Sequence, residues 1–145
     1  MLAVHFPPPA FRIRKEKDKE YIFDNLRKKW VILTPEEWVR QNFICFLVQG
    51  LSYPSSLIAV EKELLLGELR KRFDILVFDR THQPWMLIEC KAPEISLNDA
   101  VLQQVLRYNL AVPARYLVIT NGSFTTGWER AAGRLETMHH WPPVP

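Results

Sequence analysis

The sequence predicts an α/β domain with one mixed four-stranded sheet flanked by helices. Three observations predict it. A helix-start signal at Thr34-Pro35-Glu36-Glu37 is followed by three strand-like apolar runs in succession, at 57–66, 73–78 and 85–91. A run with helical spacing, 97–110, then leads into a last strand at 116–120. A length of 145 residues suffices for one domain with a proper core and is too short for two. The resulting order is α-β-β-β-α-β. Three consecutive strands make an antiparallel meander, and the strand–helix–strand unit adds a parallel neighbour through a right-handed crossover.

Each element has its own signal. Residues 1–20 read as an N-terminal arm free to move, with Pro7, Pro8 and Pro9 followed by alternating charge from Arg12 to Glu20. Its basic residues could reach phosphates. Residues 21–127 form the folded domain and 128–145 a tail with room for one short helix before its prolines. Tyr21–Phe23 and Trp30–Leu33 suggest a small hairpin. Thr34-Pro35-Glu36-Glu37 supplies an N-cap, a proline at the first helical position and a capping-box glutamate. The apolar residues from Trp38 to Val48 continue a largely buried helix, and Gly50 stops it. Tyr53-Pro54 opens a loop. Leu57–Leu66 is a strand closed by Gly67, Phe73–Phe78 a second, and Trp85–Lys91 a third, with the polar Asp79–Pro84 as the hairpin turn. Pro93 stops the third strand. Leu97–Leu110 has helical spacing, Pro113 ends it, and Asn121-Gly122 closes the strand Tyr116–Thr120.

The bulk composition excludes several classes. A hydrophobic fraction of 48% and a charged fraction of 24% are ordinary for a globular protein. The net charge of +3 admits a polyanionic partner without demanding one. No apolar run approaches the roughly 20 residues of a membrane span, and the N-terminus lacks a signal-peptide core. The expected location is cytoplasmic, with no membrane partner. Cys45 and Cys90 both lie in apolar runs and read as reduced, packed thiols.

Charge interrupts the two central apolar strands at one place each. The second strand begins Phe73-Asp74-Ile75 and the third ends Ile88-Glu89-Cys90-Lys91-Ala92. If Asp79 opposes Pro84 across a four-residue loop, counting back sets Asp74 opposite Glu89, with Cβ atoms about 4.5–5.5 Å apart. Strand alternation puts Lys91 on the face of Glu89 and turns Cys90 towards the core. Two opposed carboxylates repel unless a proton or cation sits between them. Mg²⁺ is the natural guest, being hard, oxygen-liganded and content with one or two carboxylates. Lys91 is then placed to position a water or to stabilise charge developing on a phosphate. The plain structural alternative is a cross-strand ion pair at a sheet end.

Asp74, Glu89-Cys90-Lys91 and then Gln104-x-x-x-Tyr108 on the following helix resemble the PD-(D/E)xK nuclease superfamily. The resemblance is closer to the N-terminal nuclease domain of type I restriction enzyme R subunits. It is carried by Pro35-Glu36-Glu37-Trp38-Val39-Arg40-Gln41, Tyr53-Pro54, Arg72-Phe73-Asp74-Ile75, Ile88-Glu89-Cys90-Lys91-Ala92-Pro93, Gln104 to Tyr108-Asn109, and Leu117-Val118-Ile119-Thr120-Asn121-Gly122. It implies a restriction-endonuclease-like α-β-β-β-α-β core and, for residues 21–127, a nuclease-like domain that hydrolyses DNA with Mg²⁺, for which Mn²⁺ can substitute.

On that resemblance Asp74 and Glu89 hold the metal, with the Cys90 backbone carbonyl as a third ligand, and Lys91 serves the water or the transition state. Gln104 and Tyr108, one helical turn apart, support the site or touch DNA. An acidic residue of the first helix completes many such sites, which makes Glu37 and Glu36 candidates. Glu61 and Glu63 are further ones. Arg70, Lys71 and Arg72, with Arg40, are candidate DNA-binding residues, because phosphate neutralisation dominates nucleic-acid affinity. The sequence has no Walker-type phosphate loop, so a separate motor or specificity subunit is an expected partner. Cutting both strands of a duplex suits a homodimer. The competing function is a DNA-binding or assembly module with a nuclease fold, silent without such a partner.

Overall fold

Thr34 opens the first helix, α1 (Pro35–Cys45), its hydroxyl accepting the Glu37 N–H at 3.0 Å with Pro35 in the first turn. The helix passes into one wide π-helical turn at Phe46–Gly50, so Gly50 marks the end of helical backbone. The structure, a computed structural model, describes residues 1–145. Ahead of α1, β1 (Ile13–Glu16), β2 (Lys19–Asp24) and β3 (Lys29–Ile32) form a small antiparallel sheet. After it come β4 (Ile58–Leu66), β5 (Leu69–Phe78), β6 (Pro84–Cys90), α2 (Asp99–Asn109), β7 (Tyr116–Thr120), β8 (Thr125–Ala131) and β9 (Arg134–Thr137).

The main sheet has six strands in the order β4-β5-β6-β7-β8-β9, two more than the sequence suggested. The β6–β7 pair is parallel, joined through α2, and every other neighbour is antiparallel. The two extra strands occupy the region read as a tail with a short helix. Trp128-Glu129-Arg130-Ala131 is good helix-forming sequence, but pairing with β7 overrides that weak preference. Ala132 and Gly133, at φ +51° and +76°, make the two-residue turn to β9. No Asn-Gly or Asp-Gly signal announces that turn.

The expected arm is also built into the fold. Lys17 and Asp18, at φ +50° and +66°, turn β1 back onto β2. Leu2 is 3% exposed, and its N–H bonds the Thr125 carbonyl at 2.9 Å. It lies against Gly127, where an added Cβ would stand 3.1 Å from Leu2, from Met138 and from the Leu117 carbonyl. The C-terminus is pinned too: the Tyr53 hydroxyl donates to the Pro142 carbonyl at 2.7 Å and the Trp141 indole to that of Ala3 at 2.9 Å.

The core is double. On one face of the sheet Val39, Phe43 and Ile44 of α1, with Leu47 of the π-helical turn, pack on Ile75, Val77, Met86, Ile88 and Cys90. On the other Leu106 of α2 packs with Val112 and Ala114 on Phe73, Leu76, Leu87 and Leu117. The sheet is therefore covered on both faces, as its continuous apolar strands require. No helix is long and apolar enough to cross a membrane.

Candidate active site

The β5–β6 ladder runs Val77↔Met86, Leu76↔Leu87, Ile75↔Ile88, and one step further sets Asp74 against Glu89. At the turn Phe78, and not Asp79, pairs with Pro84, and a bulge between Val77 and Phe78 shifts the ladder by one residue into the expected register. Regular pairing stops at Ile75. Beyond it the Asp74 side chain intervenes, its Oδ2 accepting the Cys90 N–H at 2.8 Å. The β4–β5 ladder lapses at the same level, between Val60↔Ile75 and Lys62↔Phe73, where Glu61 would face Asp74. Glu61 is held at φ +54°, a left-handed conformation that costs a non-glycine residue about 1–3 kcal/mol. Side-chain alternation breaks here: Phe73 packs on the α2 side and Ile75, two residues on, packs on the α1 side. The kink opens the sheet around Asp74.

Glu89 and Lys91 share a face, and Cys90 is fully buried on the other. Glu89, Lys91, Gln104 and Tyr108 line one cleft of about 270 Å³ between the end of β6 and α2, with Val101 and Val105 as its apolar wall. Gln104 and Tyr108 are both solvent-accessible there. Lys91 makes no ion pair and no side-chain hydrogen bond, so its ammonium is uncommitted.

Arg40 is not the surface phosphate contact that its sequence position suggested. It is 4% exposed, and its guanidinium donates to Asp74 Oδ1 at 2.7 Å and Glu37 Oε1 at 2.6 Å and pairs with Glu61 at 2.8 Å. Burial opposes its charge, but Asp74 and Glu37 outweigh that and hold it more firmly protonated than usual. Glu37 is not free for a metal either. Its oxygens already accept from Arg27, Arg40 and Gln41 at 2.6–3.1 Å. Arg27 in turn is locked by Asp24, whose fully buried carboxylate also accepts the Leu26 and Arg27 N–H groups and Gln41. An alternating chain of charge, Asp24–Arg27–Glu37–Arg40–Asp74, thus links the small sheet to the site. Sequence reasoning missed this chain. Its one local signal was Glu37, Arg40 and Gln41 at helical spacing on a single face.

Of the remaining candidates, Glu36 and Glu61 lie beside Arg40 at the site and the others lie away from it. Glu36 is half-buried with its pKa raised, by burial and then by Asp74, and it lies 3.9 Å from Arg40. Glu63 pairs at 3.6 Å with Arg70 and Glu61 at 3.4 Å with Arg72, among exposed arginine side chains. Lys71 lies 4.4 Å from the centre of the Tyr108 ring and donates to the Tyr108 carbonyl, so it braces α2.

Burial, then the Asp74 carboxylate beside it, push the Glu89 pKa from its ordinary 4.5 up to about 9, against the opposing pull of Lys91. Glu36 adds a weaker push. Between these two values the folded metal-free chain holds a proton that the unfolded chain has released. Its stability therefore falls as pH rises through that window. Melting temperature in EDTA is expected to decline between pH 6 and 9, and more steeply than for Glu89→Gln. Parallel declines in the two proteins would show that Glu89 is not the group that titrates.

No three His, Cys, Asp or Glu side chains converge as a ready-made metal cage. Asp74 and Glu89 nevertheless form a hard-oxygen pair that takes up a proton where a cation fits. Asp74 spends one interaction on each oxygen and keeps lone pairs on both.

With this geometry the family assignment is direct. The family model described as "Type I restriction enzyme R protein N terminus (HSDR_N)" matches residues 35–142. The chain belongs to that family. A solved type IIG restriction endonuclease, BpuSI, is similar at 20% identity and a TM-score of 0.39, over 69% of this chain and 11% of that one. The chain thus spans about a tenth of that enzyme's length. No curated protein matches the chain.

Proposed function

We propose that the chain is a metal-dependent DNA endonuclease that hydrolyses phosphodiester bonds at Asp74, Glu89 and Lys91. The observation that carries this is a cleft lined by Glu89 and an uncommitted Lys91, with the Asp74 carboxylate beside it on the Cys90 N–H, in a chain of the restriction R-protein family. Asp74, Glu89 and the Cys90 carbonyl would hold Mg²⁺ or Mn²⁺. A site with so few protein ligands suits Mg²⁺, which keeps several of its waters. Bound there, the metal supplies a polarised phosphoryl oxygen and a more acidic water.

The chain's own residues do the rest. Arg40 and the Cys90 N–H fix both oxygens of Asp74, so the carboxylate meets its ligand without reorganising. Glu89 would act as a metal ligand only in its ionised form, so it would have to release the proton that it holds in the metal-free chain. Lys91 places its ammonium against the charge that develops on the phosphate. Gln104 and Tyr108, across the cleft on α2, hold the sugar-phosphate backbone in line with that charge.

A second reading has an observation behind it. The Arg40 guanidinium already neutralises Asp74, as suits a module that binds DNA and stays silent until a motor or specificity subunit joins it.

Supercoiled plasmid and single-stranded DNA incubated with the protein in Mg²⁺ or Mn²⁺ separate the two. Cutting that EDTA stops and Asp74→Ala abolishes is the expected result. Binding without cutting supports the silent module, and cutting that persists in Asp74→Ala removes this site from the reaction.

A further inference from the structure

We propose that the outer face of the β1–β3 sheet is a second DNA-contact surface that grips the sugar-phosphate backbone away from the cleavage cleft. The inference rests on the nuclease reading for its choice of partner. It begins with charge. Residues 12–30 hold eight basic and four acidic side chains, a net of +4 against +3 for the whole chain, so the other residues sum to −1. The positive charge is gathered in this one small sheet.

The face is organised as well as charged. The register places Arg14 opposite Tyr21, Phe23 opposite Trp30 and Tyr21 opposite Ile32, and the Phe23 N–H bonds the Arg12 carbonyl. The Arg12 guanidinium lies 4.6 Å from the Phe23 ring centre and 5.3 Å from that of Trp30. That of Arg14 lies 4.6 Å from Trp30 and 5.8 Å from Tyr21. Phe23 and Trp30 meet edge to face at 5.4 Å. Ile22, fully buried, marks the opposite face as the inner one.

A guanidinium stacked on a ring keeps its N–H edges free, and those edges match phosphate oxygens in a bidentate fork. Arg12 makes no ion pair, and Arg14 makes only an exposed one with Glu16 at 3.5 Å. The rings orient the arginines, so less side-chain freedom is lost when phosphate binds. The Asp24–Arg27–Glu37–Arg40–Asp74 chain anchors this sheet to α1 and, through Arg40, to Asp74 on β5. DNA held on the platform is therefore held on a support rigidly joined to the cleft.

The test is fluorescence anisotropy of the full chain in EDTA, so that nothing is cut, with labelled single-stranded and duplex oligonucleotides over a salt series. Arg12→Gln/Arg14→Gln is expected to weaken binding at least tenfold. It should also make log K against log salt shallower by about 2, one per lost phosphate contact. Arg12→Lys/Arg14→Lys should keep most of the salt slope, and Arg107→Gln/Arg134→Gln, elsewhere on the surface, should change neither quantity. The more affected oligonucleotide identifies the strand form that the platform holds.

Equal affinity and slope in Arg12→Gln/Arg14→Gln would overturn the proposal. So would a wild-type chain that binds neither DNA at low salt, which would turn attention to an acidic protein partner. Plasmid cleavage in Mg²⁺ on the same preparations reports the nuclease reading separately. Wild-type protein that binds through the platform and never cuts sinks the nuclease and spares the platform. Cutting with unchanged binding in the glutamine variant does the reverse.

Discussion

Lys91→Ala is expected to slow metal-dependent cleavage by about 100- to 1000-fold, the usual cost of removing one group that stabilises transition-state charge. The effect should lie in the chemical step. Measured with enzyme in excess over DNA, the single-turnover rate should fall while the DNA concentration dependence stays near that of the wild type. Lys91 carries no structural ion pair, so the melting temperature should scarcely move. It stands beside Glu89, whose pKa it pulls down. The variant should therefore hold its Glu89 proton more tightly, and calorimetric Mg²⁺ titration should still show binding once the pH is raised. A single-turnover rate within about threefold of wild type would remove Lys91 from the chemistry, and a large loss of melting temperature would make its role structural.

Arg40→Ala is expected to cost about 3–5 kcal/mol of folding stability, the range for breaking a buried ion pair from one side. Three carboxylates lean on this guanidinium, at 2.6–2.8 Å, and its side chain is only 5% exposed. Its removal leaves Asp74 without an arginine partner and takes from Glu37 and Glu61 the buried charge they share with it, leaving Arg27 and the exposed Arg72 respectively. For a chain of this size the loss corresponds to a melting temperature lower by roughly 10 °C or more. Arg40→Lys should fall between the two, because an ammonium cannot fork between Asp74 and Glu37. Added Mg²⁺ is expected to recover more of the melting temperature in Arg40→Ala than in wild type, since binding to the folded state alone stabilises it. A shift under about 2 °C in Arg40→Ala would show that the carboxylates tolerate one another without the arginine.

Much of this arrangement could be read from local signals. Thr34-Pro35 places the start of α1 because its capping interactions lie within four residues. Tyr116–Thr120 is a strand of five buried residues between a proline-ended helix and Asn121-Gly122, and nothing competes with that reading. Counting back from Asp79 opposite Pro84 reached the right ladder from a wrong turn: Phe78 is the residue that pairs with Pro84, and the bulge next to it, which has no sequence mark, makes up the missing residue.

What escaped the sequence depends on distant partners. Trp128–Ala131 is a strand only because β7 lies beside it, and Leu2 is core only because Thr125 and Gly127 receive it. Arg40 looked like a surface cation because arginine usually is one. Its burial comes from Asp74, 34 residues away, and from Glu61 on a third element. The left-handed backbone at Glu61 carries no sequence mark at all, since glycine or asparagine would be the usual choice there.

The chain of charges that starts at Asp24 bears on where this domain can be cut. The family match opens at Pro35, so a fragment trimmed to that boundary looks complete and keeps Asp74, Glu89 and Lys91. It would nevertheless lose Arg27, leaving Glu37 with one arginine in place of two, and Arg40 would meet an acid no longer tethered from behind. A fragment that keeps this chain of charges whole therefore begins upstream of the matched segment, at the hairpin that carries Asp24 and Arg27.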